Sequence, residues 1–114
     1  MEGDLIIVMG YDVSAAEVEE GLLQHPAIGE AAVIGVPDAY LGQRIKAFVS
    51  LKPGAQATPK EIIAFCKEHM PRHQYPRQVE IVEVLPKNEA GDILRQQLRL
   101  QESARLRGQT HPTT

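Results

Sequence analysis

The sequence predicts an α+β fold: a small mixed or antiparallel three-stranded sheet with helices packed against it, plus a short N-terminal strand or hairpin. Three observations carry this expectation. Apolar, β-branched runs recur near residues 31–36, 45–51 and 79–84. Segments with helical spacing separate them, and two of these open on a Ser or Thr with Glu three residues later. The order strand, helix, strand, strand, helix, strand, helix then fits within 114 residues as one modest core.

Leu5-Ile6-Ile7-Val8 is a short apolar run followed by Gly10, a strand leading into a loop. Ser14-Ala15-Ala16-Glu17 has the form of a capping box, placing a helix start there. Val18, Leu22 and Leu23 form its apolar face, Glu19 and Glu20 turn outward, and His25-Pro26 closes it. Ala31-Ala32-Val33-Ile34-Gly35-Val36 reads as a strand covered on both faces, with a turn or loop beginning at Pro37-Asp38. Ile45, Ala47, Val49 and Leu51 alternate with Lys46 and Ser50, although Phe48 breaks the polar side; Pro53-Gly54 supplies the turn. Thr58-Pro59-Lys60-Glu61 combines an N-cap, proline at the first helical position and a capping-box glutamate. Ile62, Phe65, Cys66 and Met70 continue that helix until Pro71 stops it. Val79 to Val84 reads as the next strand. A last helix is expected to start near Gly91, with Leu94 and Leu98 inward and Arg95 and Arg99 outward.

Composition narrows the function classes. The 43% hydrophobic and 24% charged content are globular values and exclude wholesale disorder. No apolar run approaches the roughly 20 residues of a membrane span, and no secretory leader is visible. The single cysteine, Cys66, excludes an internal disulfide and fits a reducing compartment, so a cytoplasmic location is expected. Net charge is −3, which gives nucleic-acid binding no support. Residues 1–57 carry eight acids and three bases, whereas 58–114 carry seven acids and nine bases. Ordinary solvated charges account for that asymmetry, with an anion-facing second half as the sharper reading.

Several standard sites fail on inspection. His69 and His73 have the spacing of a helical zinc pair, but Pro71 interrupts the helix between them, so no metal site is expected. Cys66 sits on an apolar helix face and reads as a buried structural thiol. Neither a nucleophile elbow nor a phosphate-cradling glycine loop is present. Two segments remain, Val8–Val13 and Pro86–Arg95, each read as joining a strand to a helix, where free backbone amides could meet an anion.

Taken in order, several blocks are similar to one family. Asp4-Leu5-Ile6-Ile7 through Gly10 is followed by Val13, Glu17-Val18-Glu19 and Leu22-Leu23. Next come His25-Pro26-Ala27-Ile28 with Glu30 to Asp38, and Lys46-Ala47-Phe48-Val49 with Leu51-Lys52-Pro53-Gly54. Pro76-Arg77, Val79-Glu80, Leu85-Pro86-Lys87 and Gly91 through Arg95 complete the set. Together they resemble the carboxy-terminal lid domain of adenylate-forming (AMP-binding) enzymes, especially the acyl-CoA synthetase or fatty-acid–CoA ligase branch. The resemblance covers residues 4–99 and leaves 100–114 as a poorly ordered tail.

The resemblance implies a two-step ligase. An upstream adenylation domain would bind ATP, Mg and the carboxylic acid and form an acyl-adenylate. The lid would then rotate so that the CoA thiol displaces AMP. By the same resemblance Gly10, Tyr11 and Asp12 line the pantetheine channel. Among the bases, Arg72, Arg77, Arg95 and Arg99 are candidates for the CoA phosphates. As solvated surface arginines they would need no such role.

Departures from the family pattern are as informative. The adenylation lysine should follow Gly91, but Asp92 stands there. Asp12 and Gln74 also replace positions where the family carries Arg or Asn and Lys, and Ala15 replaces a common proline. The hinge position aligns with Gly3. The expectation is an acid–CoA ligase lid, inactive by itself and with Asp92 unable to serve in adenylation. The alternative is a non-catalytic CoA- or protein-binding regulatory module that kept the fold.

Overall fold

The computed structural model describes residues 5–109, and side chains as far as Leu106. Its elements are β1 (Leu5–Val8), β2 (Tyr11–Ser14), α1 (Ala15–Leu22), β3 (Ile28–Asp38), β4 (Gly42–Leu51), α2 (Pro59–His69), β5 (Gln78–Ile81) and α3 (Arg95–Gln109). Gly3, at the expected hinge, lies outside the described residues, as do residues 110–114 of the expected tail.

The α+β class is correct, but the strand count needs correction. One mixed sheet holds five strands in the order β2-β1-β4-β3, with β5 also on β4. β3 and β4 pair antiparallel along nearly their whole length, for example Ala31↔Val49 and Val33↔Ala47. On the other edge of β4, β1 meets the start at Val8↔Gly42 and β5 runs parallel from Lys46↔Gln78 to Val49↔Ile81. The N-terminal hairpin is thus part of the sheet, tied by Met9 N–H to Leu41 O at 2.8 Å and Ile7 N–H to Gln43 Oε1 at 2.9 Å.

The segment after Val8 is that hairpin's turn rather than a strand-to-helix loop. Val8 pairs with Tyr11 across Met9 (φ 54°) and Gly10 (φ 84°). Two successive positive φ angles give the turn whose twist matches antiparallel strands. Glycine at 10 meets the backbone requirement, since a Cβ there would have nothing within 4 Å.

Each face of the sheet carries its own core. Ala31, Val33, Ile45, Ala47 and Val49 pack with Val18 and Leu22 of α1 and Ile62 and Cys66 of α2. The alternate residues Ala32, Ile34, Val36 and Phe48 pack with Leu85 and with Leu98 of α3. Coverage on both faces explains the uninterrupted apolar run at 31–36 and the apolar Phe48. Burial pushes the Cys66 thiol up to about 11, so this cysteine stays protonated and inert near neutral pH.

Helix ends follow their caps. Thr58 Oγ1 accepts from Glu61 N–H at 3.1 Å while Glu61 Oε1 accepts from Thr58 N–H at 3.0 Å, a complete capping box behind Pro59. Thr58→Ala is expected to lower stability by about 1 kcal/mol, read as a shifted urea midpoint with unchanged slope; no shift would remove the cap from the account. At α1 only half of the box forms, Ser14 Oγ accepting from Glu17 N–H at 3.4 Å. That helix ends at Leu22, earlier than His25-Pro26, through turn bonds from Gln24 and His25 back to Gly21 and Leu22.

The C-terminal third differs most from expectation. β5 stops at Ile81 because the chain then crosses to bury Leu85 on the second face, leaving Val84 70% exposed. α3 begins at Arg95 instead of Gly91. The intervening residues form a turn with Gly91 at φ 90°, a conformation incompatible with a helix. α3 then continues through Gln109, past residue 100, because Glu102 is buried (4% exposed) against Lys46 of β4.

Candidate functional site

The hairpin tip faces the connection between α2 and β5. Pro71 ends α2, leaving Met70 extended, and Gln74 N–H bonds back to Pro71 O at 2.9 Å. Arg77 N–H then bonds Ile45 O at 3.0 Å and passes the chain into β5. This turn sets the His73 ring against Tyr11, stacked at 4.2 Å between centroids and 18° between planes. Met9, Tyr11, Arg72, His73 and Arg77 line the resulting cleft of about 520 Å³. A neighbouring cleft of about 380 Å³ shares both arginines and adds Lys67, Met70 and Tyr75. The Arg77 guanidinium lies 5.1 Å over the Tyr75 ring.

The charged residues lining the pair, among the described residues, are therefore Lys67, Arg72 and Arg77. Flat rings beside cations suit a heteroaromatic ligand that carries phosphates. The structure brings Tyr11 together with Arg72 and Arg77. It separates Asp12, which alternates to the opposite face of β2 from Tyr11 and pairs in register with Ile7.

Arg95 does not join them. Its guanidinium grips Glu19 of α1 through Nε–Oε2 at 2.6 Å and a second bond to Oε1. Arg99 bonds Gln96 Oε1 and borders a different, mainly apolar hollow beside Ile34 and Leu106. Glu19, read from the sequence as outward, is tucked in and also accepts Val33 N–H at 2.9 Å from the open edge of β3.

Asp92 occupies an exposed turn. The Asn88 side chain accepts from Ala90 N–H and Asp92 N–H, and Asn88 N–H bonds Asp92 O at 3.0 Å. A bridge between Lys87 and Ile93 closes the turn, and Lys87 Nζ pairs with Glu30 Oε1 at 2.8 Å. Lys87 is therefore occupied by β3, in keeping with its position upstream of the turn.

His69 and His73 face different partners, Phe65 and Tyr11. Among the described residues no group of three or more His, Cys, Asp or Glu is arranged for a metal ion. Nor is any described helix long and apolar enough to cross a membrane. Sequence reasoning places Met9 only within the candidate segment Val8–Val13 and misses Lys67, Met70, His73 and Tyr75 as cleft residues. The cue was available only in part, as the surplus of bases after residue 58.

Residues 17–92 match the model of the AMP-binding enzyme C-terminal domain. The chain belongs to this family. As an AMP-binding C-terminal domain it is 44% identical over 100 residues to a long-chain-fatty-acid–CoA ligase of Bacillus subtilis, covering 88% of this chain and 18% of that protein. It is 47% identical over 98 residues to a probable acyl-activating enzyme 8 of Arabidopsis thaliana, covering 84% and 18%. The crystal structure of a Brucella canis acyl-CoA synthetase superposes with a TM-score of 0.86 at 41% identity, covering 93% of this chain and 20% of that one. The domain thus spans about a fifth of the length of these relatives. Asp92 is the last residue of the family match.

Proposed function

We propose that this domain is the C-terminal lid of a cytoplasmic ATP-dependent acid–CoA ligase and receives CoA in the cleft between the hairpin tip and Arg72–Arg77. The observation that carries this reading is the convergence of Tyr11, His73, Arg72 and Arg77 on one cleft. The names of the relatives, ligases and synthetases of acyl-CoA type, support it.

In the reaction, a carboxylate oxygen attacks the α-phosphorus of ATP and pyrophosphate leaves. The CoA sulfur then attacks the acyl carbon, and AMP departs with the bonding electron pair. ATP, Mg and the acid belong to the upstream domain in this reading. The lid's part is positioning and electrostatics. Arg72 and Arg77 hold phosphates, and Tyr11 with His73 offers a stacking surface for the adenine. The turn Met9-Gly10 leads the pantetheine inward, where no side chain at 10 narrows the path. The lid rotates between the two steps to exchange the face bearing residue 92 for the face bearing the hairpin.

In the full-length enzyme, Arg72→Ala and Arg77→Ala should each raise the KM for CoA by roughly tenfold, as expected for loss of one charge-assisted contact. Adenylation measured alone should be unchanged, and the CoA KM should steepen with salt in the parent enzyme. A CoA KM indifferent to both substitutions and to salt would move CoA elsewhere.

Asp92 favours a second reading, a module that binds CoA or a protein without completing the chemistry. It predicts CoA binding but no thioester from a supplied acyl-adenylate.

A further inference from the structure

The turn that displays residue 92 is anchored on both sides by carboxylates from other elements. On its leading side Lys87 Nζ bonds Glu30 of β3 at 2.8 Å. On its trailing side Arg95 makes two bonds to Glu19 of α1, whose Oε2 also takes Val33 N–H from β3. Leu94 N–H to Pro86 O at 2.9 Å and the Lys87↔Ile93 bridge join the two sides beneath the turn. The Glu19 and Arg95 side chains are only 12% and 24% exposed, so their attraction is screened less than that of a surface pair. Two-point contact with a planar guanidinium also fixes direction as well as distance.

We infer that Glu19, acting through Arg95, is a positioning residue that fixes the 88–92 turn relative to the sheet, with Glu30–Lys87 as the second anchor; this rests on the ligase reading above. Glu19 belongs to α1 and its role is invisible in the turn's own sequence. Its carboxylate links α1, the free edge of β3 and the start of α3 at one atom group. A turn held at one side only can pivot about the other, which spreads the positions available to residue 92. Displacements of about 1 Å can cost two orders of magnitude in a reaction that depends on placement.

Glu19→Gln separates this role from simple folding, because the amide oxygen can still accept Val33 N–H while the charge facing Arg95 is lost. In the full-length enzyme, hydrogen exchange should become faster at the Asn88, Gly91 and Asp92 amides and stay unchanged in α2. Arg95→Lys, which keeps charge but loses the fork, should be intermediate. Unchanged protection in the turn overturns the inference whatever the activity. The kinetic arm uses Asp92→Lys as parent. There Glu19→Gln should lower the adenylation kcat by roughly ten- to a hundredfold with little change in KM for ATP. Thioester formation from a supplied adenylate should be retained. If Asp92→Lys itself gains no adenylation, the ligase reading of residue 92 fails, while the exchange result still decides the anchoring. If Asp92→Lys gains activity and Glu19→Gln keeps it, the positioning role fails.

Discussion

Asp92→Lys in the full-length enzyme is expected to raise the rate of acyl-adenylate formation by about a hundredfold or more, the scale of one well-placed charge stabiliser in a dry site. The substitution changes local charge by two units, from repelling a phosphate to attracting it. It should do so with little structural cost. Asp92 is exposed, and its hydrogen bonds in the turn are made by its backbone N–H and C=O. Gly91, whose positive φ shapes the turn, is untouched. Stability should therefore stay within about 0.5 kcal/mol. Pyrophosphate exchange reports the first half-reaction, and thioester yield from a prepared acyl-adenylate reports the second. The first should rise and the second should hold. Equal exchange rates for the parent enzyme and Asp92→Lys would remove the argument that this carboxylate impairs adenylation.

Local signals were legible where they depend on neighbours in sequence. Thr58-Pro59-Lys60-Glu61 names its own helix start, and the apolar run at 31–36 reads as a strand because both its faces are covered. Less legible were a hairpin that the sequence offers only as an alternative to a single strand, and features settled by distant partners. Tyr11–Ser14 lacks the length of a convincing strand and becomes one by pairing with Leu5–Val8 across a turn that needs two positive φ angles. The 100–109 segment is too polar to announce a packed helix, since a buried ion pair replaces much of the apolar contact. At the site, the resemblance points to Tyr11 and the phosphate candidates include Arg72 and Arg77, and these three line one cleft. Arg95, also a phosphate candidate, bonds Glu19 across 76 positions, a contact that no local pattern encodes.

The second large effect is expected around Lys46, on the covered face of β4 and the most deeply buried charge among the described residues. Its side chain is 1% exposed, with Nζ 2.9 Å from Glu102 Oε1, 3.0 Å from Glu80 Oε1 and 4.9 Å over the Phe48 ring. Arg105 completes the group, 2.8 Å from Glu80 and 3.4 Å from Glu102. Glu102→Ala should destabilise the chain by about 3–5 kcal/mol, because a buried ammonium is left with one partly exposed partner. Lys46→Met combined with Glu102→Leu should recover most of that loss, since no charge then stays buried unpaired. Urea unfolding distinguishes the cases. A double variant as unstable as Glu102→Ala would show that shape, not charge, governs the site. The pH dependence follows from Glu80. Burial raises its pKa, but hydrogen bonds from Arg105 and Lys46 outweigh this and hold it below the ordinary carboxylate value of 4.5. Below that value the unfolded chain binds the proton more readily than the folded one, so stability falls as pH drops. The contribution is fully present at neutral pH and disappears as pH passes down through the folded value. In Lys46→Met, one of the two donors is gone and the acid-side loss of stability attributable to Glu80 should shrink. An unaltered acid limb in that variant would assign the dependence to other carboxylates.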